Sequence, residues 1–231
     1  FINGLMDGII ALYFVASILI SYKIIASSDD VSKLLLYLCL FIFFSILSLS
    51  KNEGGIMVLV IFLSSFIMDI LYRKNINLKL FFTTFVALIP VSLWKYMFIN
   101  KNIKMEFLQS GDPLNKLIDR ITDPDNLLNI IYALSVNEKL LISVFIFSIV
   151  AYKYFYNSKK LILLILFNFL LYFSALILGI LLTPHTVSIQ LEHSATRIFI
   201  PLVLMFSYFS VFLIKDNFSS KIDKNDDKIW K

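Results

Sequence analysis

Five ionisable residues stand at the edges of long apolar runs in this chain of 231 residues: Asp7, Lys51, Glu53, His193 and Arg197. His193 and Arg197 are four residues apart, so both lie on one face if this segment is a helix. Arginine offers a planar fork of donors and lysine a compact charge, and both bind phosphate groups. If the five residues converge, they form a phosphate site with carboxylates beside it. If they do not, they are ordinary residues at the ends of membrane spans.

The apolar runs indicate which elements must position these residues. Hydrophobic residues make up 59% of the chain, and the mean hydropathy is +0.84, whereas soluble domains average about 45–50% apolar residues. We therefore expect an all-α, polytopic membrane bundle with lipid as its solvent. A membrane-crossing helix needs roughly 20 apolar residues. Seven segments qualify, at about Leu5–Ile25, Leu34–Ser50, Ile56–Tyr72, Leu80–Ile99, Leu140–Tyr156, Leu161–Leu182 and Ile198–Ile214. Residues 1–214 then form one transmembrane domain, and residues 215–231 form a solvated or disordered cytoplasmic tail.

The lysines and arginines predict the orientation of the bundle, because basic residues in short connections mark the cytoplasmic side. Most of them fall on one side, namely Lys23, Lys33, Arg73, Lys74, Lys79, Lys153, Lys159, Lys160 and five lysines of the tail. We expect that side, and the C-terminus, to be cytoplasmic. The segment KNEGG at residues 51–55 is then a hairpin on the outer face. Asp7, His193 and Arg197 lie near the same face.

The outer connection, residues 100–139, predicts two amphipathic helices, in DPLNKLIDRI and DPDNLLNIIYAL. Each is too short and too polar to span, so we expect both to lie along the membrane surface. The segment DPD at residues 123–125 is similar to an acidic metal motif, but an aspartate before a proline is typical of a helix N-cap. His185 and His193 have no third ligand nearby, so we expect no zinc site. No GxxxxGK[ST], GxSxG or HExxH sequence occurs.

Other polar features have simpler interpretations. Lys23 and Lys95 are close enough to span ends to reach water, and Asp69 can pair with Arg73 one helical turn later. The net charge of +5 reflects membrane orientation, so no nucleic-acid partner is expected. The chain begins with phenylalanine, which suggests a fragment of a protein whose N-terminus lies upstream.

Three short stretches carry a resemblance to a known family of membrane enzymes. NGLMDGIIALYF contains Gly-x-x-Asp at the start of a span, and LSLSKNEGG contains Lys-x-Glu-Gly at the end of another. HSATRIFIPLVLMF places His and Arg before a Pro-containing span. Together they resemble the polyprenyl-phosphate-dependent membrane glycosyltransferases of the GT-C superfamily. The main acidic motif of that family usually lies in an outer loop upstream of this chain, so the resemblance implies a fragment without that motif and leaves its activity alone open.

The resemblance implies transfer of a sugar from a polyprenyl-phosphate donor to a glycan, lipid or protein acceptor, on the outward face of a bacterial plasma membrane. A carboxylate acts as general base on the acceptor, and basic groups stabilise the departing phosphate. The catalytic role then falls to Asp7, and phosphate contacts to Lys51 and Arg197 with His193 as a weaker third. Glu53 orients Lys51. No metal ligand is assigned, and the cofactor stays open, with a divalent cation as one candidate.

Two other classes of protein fit parts of the pattern. A transporter or flippase also has charges on its outer face, but it usually has paired Gly/Pro breaks and an internal repeat, and Pro90 and Pro201 form no matched pair. A polysaccharide polymerase or ligase handles lipid-linked glycans with arginines in large outer loops, where this chain offers Arg120 and Arg197 alone. Both classes remain alternatives to the glycosyltransferase.

Overall fold

The structure is a computed structural model that describes residues 2–26, 30–50, 52–73, 77–100, 113–182 and 186–229. These described residues form nine helices and no strand. The helices are α1 (Ile2–Ala26), α2 (Asp30–Ser50), α3 (Asn52–Arg73), α4 (Leu78–Asn100), α5 (Pro113–Thr122), α6 (Pro124–Val136), α7 (Glu138–Leu182), α8 (Val187–Ile198) and α9 (Ile200–Ile229). Six of them, α1 to α4, α7 and α9, are long and apolar enough to cross a membrane. The predicted all-α class with several membrane-compatible helices is confirmed.

Helix α7 has 45 residues, about twice the length of a membrane span. Its backbone leaves the helical conformation at Ser158 (φ −122°, ψ 28°). The rings of Phe147 and Phe169 both contact the ring of Phe206 in α9, at centroid distances of 5.0 and 5.2 Å, so they are at most about 10 Å apart. A straight helix would separate them by about 33 Å. Helix α7 therefore folds back at Ser158 into two antiparallel arms, residues 138–157 and 159–182.

Polar side chains of α7 and α9 form hydrogen bonds at the point where α7 reverses direction. The amide of Asn157 donates from Nδ2 to Oδ1 of Asn217 at 3.0 Å. In turn, Nδ2 of Asn217 donates to Oγ of Ser158 at 3.3 Å and to the carbonyl oxygen of Leu213 at 2.8 Å. Ser158 and Asn217 are buried, and buried polar groups need such partners. These bonds fix which part of α9 lies beside the reversal.

Helices α2 and α3 form a hairpin at KNEGG, as the sequence predicts. Helix α2 ends at Ser50 and α3 begins at Asn52. The backbones approach so closely that a Cβ added to Gly54 would lie 1.8 Å from the carbonyl oxygen of Leu47. Glycine is the residue that permits such an approach. A Cβ added to Gly55 would meet nothing within 4 Å, so the two glycines differ in their roles.

Helix α4 lies at the edge of the bundle and contains Pro90. Proline removes a backbone donor and crowds the carbonyl groups of the preceding turn. The hydroxyl of Ser48 in α2 is shared between the carbonyl oxygen of Ala87 in α4, at 3.2 Å, and that of Ser45 in its own helix, at 3.1 Å. The neighbouring helix thus provides a hydrogen bond next to the proline, which is how membrane proteins commonly tolerate this residue.

The bundle buries one set of large apolar side chains and exposes another. Phe14, Phe44 and Phe209 are fully buried in the core. Phe82 on α4 and Phe145 on α7 are 68% and 66% exposed, and many other apolar residues share this exposure. An apolar surface of this kind is unusual for a protein in water and suits contact with lipid.

Helices α5, α6 and α8 form a layer at one end of the bundle. The sequence predicts α5 and α6 as amphipathic helices, but it does not predict α8. They enclose a second, smaller core with the end of α7, formed by Ile130, Ile180, Leu181, Val187 and Leu191. Asp123 is the predicted N-cap, since its side chain accepts from the backbone nitrogen of Asp125 at 3.0 Å. Arg120 donates from Nη1 to the carbonyl oxygen of Leu181 at 2.9 Å, which satisfies an acceptor at the C-terminus of α7.

The two ends of the bundle differ in charge. One end, called the lysine end here, carries the α7 reversal, the end of α1 and the start of α4. Its exposed lysines are Lys23, Lys79, Lys153, Lys159, Lys160 and Lys215. The other end, called the pocket end, carries the α2–α3 hairpin and the layer of α5, α6 and α8.

The structure separates His193 and Arg197 from the last predicted span. The sequence predicts a span at Ile198–Ile214 followed by a solvated or disordered segment. In the structure α8 ends at Ile198, the chain turns at Phe199, and α9 runs from Ile200 to Ile229, so the span begins within two residues of its predicted start. His193 and Arg197 therefore belong to a separate helix that precedes the last long helix. The tail is helical as far as Ile229, because no Gly or Pro interrupts residues 215–229.

Candidate functional site

A pocket opens at the pocket end, where α1, α3, α7, α8 and α9 meet. Its volume is about 280 Å³, with the open mouth included. Four polar residues line it, namely Asp7, Glu53, Tyr172 and Arg197. Five apolar residues complete the lining, namely Ile10, Met57, Leu176, Ile198 and Pro201. Because the lining comes from five helices, the pocket forms only when these five pack together.

Asp7 and Arg197 form an ion pair at this pocket, although 190 residues separate them in the sequence. Nε of Arg197 donates to Oδ2 of Asp7 at 2.6 Å. The side chain of Asp7 is 7% exposed and that of Arg197 is 43% exposed, so the carboxylate is enclosed while the guanidinium reaches solvent. The hydrogen bond that Arg197 donates to Asp7, together with the negative charge of Asp7, raises the pKa of the Arg197 guanidinium above its ordinary value. Arg197 is therefore a permanent cation.

The terminal nitrogens of Arg197 remain available for a ligand. They make no hydrogen bond to another residue that the structure describes, since the contact to Asp7 is made through Nε. The terminal fork is the part of arginine that binds phosphate or carboxylate through two parallel hydrogen bonds. An anion in the pocket can thus bind Arg197 while the ion pair with Asp7 stays intact.

Glu53 brings a second carboxylate to the pocket. It lies in the first turn of α3, where the positive end of the helix dipole favours a negative charge. Its side chain is exposed and makes no hydrogen bond or ion pair with another described residue. Its charge acts on Arg197 across the pocket. The close approach of Gly54 to Leu47 holds this turn in place, so the hairpin sets the position of Glu53.

Tyr172 is the polar pocket residue that the sequence does not single out. It lies in the second arm of α7, is 2% exposed and packs on the ring of Phe14 at a centroid distance of 5.1 Å. The charges of Glu53 and Asp7 both act on its hydroxyl. In the sequence it is one aromatic among several in FNFLLYFS. The one available signal is the phenol oxygen, which needs a polar neighbour when it is buried.

Three of the five residues predicted from the sequence lie at this pocket: Asp7, Glu53 and Arg197. Lys51 lies outside the described residues. The side chain of His193 also lies outside them, although its backbone belongs to α8. Within the described part of the chain, no group of three His, Cys, Asp or Glu side chains is arranged to hold a metal ion.

Comparisons with protein-family models, with curated proteins and with solved structures find no match for this chain. The function of the pocket therefore has to be inferred from its own chemistry. That chemistry combines one cation with an available fork, one enclosed carboxylate and one exposed carboxylate, all at the end of an apolar bundle.

Proposed function

We propose that this protein is a membrane glycosyltransferase, similar to the GT-C superfamily, that transfers a sugar from a polyprenyl-phosphate donor to an acceptor at the pocket end. The observation that carries this proposal is the Arg197 guanidinium, which is anchored to Asp7 through Nε and keeps its terminal nitrogens for a ligand. A lipid-linked phosphate joins an anion to a hydrocarbon chain. A cation at the mouth of an apolar bundle suits both parts of such a molecule.

We further infer seven membrane crossings, formed by α1, α2, α3, α4, the two arms of α7 and α9. With seven crossings the start of α1 and the end of α9 lie on opposite sides. The excess of lysines at one end then puts the pocket end outside and the C-terminus in the cytoplasm. A bacterial plasma membrane, with its outward-facing lipid-linked sugars, fits this orientation.

The geometry favours different tasks for the two carboxylates. Oδ2 of Asp7 faces the guanidinium of Arg197 at 2.6 Å, so Asp7 is better suited to position Arg197 than to accept a proton from a substrate. Glu53 is exposed in the same pocket and has no such bond within the described residues. We therefore assign the role of general base to Glu53 and a positioning role to Asp7.

In the proposed reaction, Glu53 takes the proton of the acceptor hydroxyl, and the acceptor oxygen attacks the anomeric carbon of the donor sugar. The bond between that carbon and the phosphate oxygen breaks, and the polyprenyl phosphate leaves with the bonding electron pair. Arg197 stabilises the charge that develops on the phosphate. Lys51 and His193 keep their predicted roles as further phosphate contacts, and a divalent cation remains a candidate cofactor.

Features of the described residues favour this proposal over its alternatives. Secondary transporters use matched helix breaks near the middle of the membrane. Here Pro90 lies inside α4, whereas Pro201 lies in the first turn of α9. These two prolines therefore do not form a matched pair of breaks. A polymerase would use arginines of the large outer connection. Arg120 instead donates to the Leu181 carbonyl, which indicates a structural role.

The test uses the purified protein in lipid nanodiscs with a panel of polyprenyl-phosphate sugars and follows sugar transfer or donor hydrolysis. Replacing Arg197 by alanine should lower kcat/KM by about 10²–10³-fold, the loss typical of one donor to a developing anion. Glu53→Gln should lower kcat with little change in KM. Lys139→Ala serves as the control, because this exposed lysine of the pocket end does not line the pocket.

Two results would refute the proposal. One is turnover by Arg197→Ala and Glu53→Gln that equals wild type. The other is a wild-type protein that neither binds, transfers nor hydrolyses any donor of the panel.

A further inference from the structure

Tyr172 has a buried ring and a hydroxyl that meets the pocket. The ring packs on Phe14 of α1 at a centroid distance of 5.1 Å, and the residue as a whole is 2% exposed. The hydroxyl makes no hydrogen bond to another described residue, yet its oxygen is not one of the fully enclosed polar atoms that lack a partner. The small exposed part of Tyr172 therefore includes the hydroxyl, and the open space beside it is the pocket.

This hydroxyl is a donor that a ligand can use. A buried phenol normally has a hydrogen-bond partner, because removing a polar group from water without a new bond is unfavourable. Leu176 lies one helical turn after Tyr172 on the same face of α7, and it also lines the pocket. This face of the second arm is therefore directed toward the pocket, and a ligand in the pocket is the available partner for the phenol.

Glu53 offers the opposite capacity in the same pocket. Its carboxylate accepts hydrogen bonds and donates none, and it makes no hydrogen bond or ion pair with another described residue. Of the two carboxylates that line the pocket, Glu53 has the stronger effect on the Tyr172 hydroxyl. The other carboxylate, Asp7, is already bonded to Arg197.

The pocket is small enough for one group of a ligand to contact both residues. Its volume of about 280 Å³, with the open mouth included, corresponds to a sphere about 8 Å across. An oxygen atom that makes two hydrogen bonds of about 2.8 Å joins partners up to about 5.5 Å apart. Glu53 is exposed, so its side chain can change rotamer to close the remaining distance to a ligand held by Tyr172.

Three kinds of polar group fit these two residues differently. An ammonium group donates but cannot accept, so it would leave the Tyr172 hydroxyl without an acceptor. A phosphate or carboxylate accepts but cannot donate, and the charge of Glu53 repels it. Such an anion is better placed at the terminal nitrogens of Arg197. A hydroxyl accepts from Tyr172 and donates to Glu53 through one oxygen atom.

We propose that Tyr172 and Glu53 form a hydroxyl-binding subsite beside the terminal nitrogens of Arg197, and that the acceptor substrate is an alcohol. This inference rests on the proposed function, because it assigns the subsite to the acceptor of the sugar. The acceptor oxygen accepts a hydrogen bond from Tyr172 with one lone pair and gives its proton to Glu53. Its other lone pair attacks the anomeric carbon, and Tyr172 keeps its own proton.

The test compares two lipid phosphates that differ by one hydroxyl. One is an alkyl glycerol phosphate with a free hydroxyl on its central carbon, and the other is the corresponding alkoxypropyl phosphate, which lacks that hydroxyl. The hydroxyl is two carbon atoms from the phosphate oxygen, a separation similar to that between an attacking acceptor oxygen and the leaving phosphate. Affinities of the full chain in detergent micelles are measured by native mass spectrometry.

The wild-type protein should bind the hydroxyl-bearing lipid about 10-fold more tightly, because this lipid adds one neutral and one charge-assisted hydrogen bond. Tyr172→Phe removes a single oxygen atom and should reduce this preference by about 3–10-fold. Arg197→Ala should weaken the binding of both lipids and leave the preference in place. Because the preference is a ratio within one variant, a general loss of stability cancels.

Tyr154→Phe is the matched control. Tyr154 lies in the first arm of the same helix, is 9% exposed and does not line the pocket, so this variant should keep the wild-type preference. A wild-type protein that binds both lipids equally, or a Tyr172→Phe variant with the full preference, would overturn the subsite and leave the proposed function standing. If neither lipid binds, the anion site at Arg197 is refuted, and the proposed function is refuted with it.

A third lipid phosphate tests the assignment of an alcohol. It carries an ammonium group in place of the hydroxyl and has no acceptor for the phenol. Its affinity should therefore be the same in wild type and in Tyr172→Phe. A loss of affinity equal to that of the hydroxyl-bearing lipid would show that the subsite does not select alcohols.

Discussion

Replacing Gly54 by alanine should destabilise the α2–α3 hairpin. The new Cβ would lie 1.8 Å from the carbonyl oxygen and 2.6 Å from the carbonyl carbon of Leu47. A Cβ atom essentially never comes closer than 3.0 Å to such an atom, so the helices would have to separate by about 1.2 Å. The obstacle is backbone, which cannot move aside by a change of rotamer. Forced packing of this kind costs about 1–3 kcal/mol.

Gly55→Ala is a matched control for this substitution. It makes the same chemical change in the same turn of α3, but its Cβ would meet nothing within 4 Å. Both variants gain up to about 1 kcal/mol of helix propensity, so this gain cancels when they are compared. The Gly54→Ala midpoint should lie roughly 2–12 °C below the Gly55→Ala midpoint, at about 2–4 °C per kcal/mol for a chain of this size.

The comparison is measured by thermal unfolding of both purified variants in the same detergent. Equal midpoints, or a higher midpoint for Gly54→Ala, would mean that α2 and α3 do not approach each other as described. The position of Glu53 in the pocket would then lose its structural basis, because the same turn carries both residues.

Two further experiments test other contacts of the bundle. A double-mutant cycle with Asp7→Asn and Arg197→Gln should give a coupling energy of about 1–2 kcal/mol in the free energy of unfolding. This is less than for a fully buried pair, because Arg197 is 43% exposed. A coupling energy of zero would contradict the ion pair. Ser48→Ala removes the donor to the carbonyl oxygen near the proline of α4 and should lower the unfolding free energy by about 1–3 kcal/mol. Ser45→Ala, whose hydroxyl bonds its own helix, is the control, and an equal loss in both variants would show that the bond between helices adds no stability.

The positions of the long helices could be predicted because they depend on local information. A long apolar run between charged or small residues defines a helix that fits the membrane, and this holds for α1 and α3 to within a few residues. The packing could not be predicted in the same way. Phe44 is fully buried and Phe145 is 66% exposed, yet both sit in equally apolar sequence, because lipid is as apolar as the protein core.

The same reason explains which parts of the candidate site the sequence revealed. Asp7, Glu53 and Arg197 stand out because a charge beside a span is costly and needs a cause. Tyr172 does not stand out, since the sequence alone gives no sign of which face of its arm lines a pocket. The break between α8 and α9 was also missed, although Arg197 in the last turn of α8 and Pro201 three residues beyond its end are signals of a helix terminus. The apolar residues around Pro201 favoured one continuous span instead.

The reversal of α7 has a consequence for how the protein can be made. The two arms meet at Ser158 with hardly any linker, and Lys153, Lys159 and Lys160 surround this tip. A polypeptide cut at the tip would have both new termini at the same end of the bundle, and neither apolar arm of α7 would be severed. Two fragments expressed separately and divided at this tip should therefore assemble into the complete bundle, because the first arm of α7 packs against α9 in the other fragment.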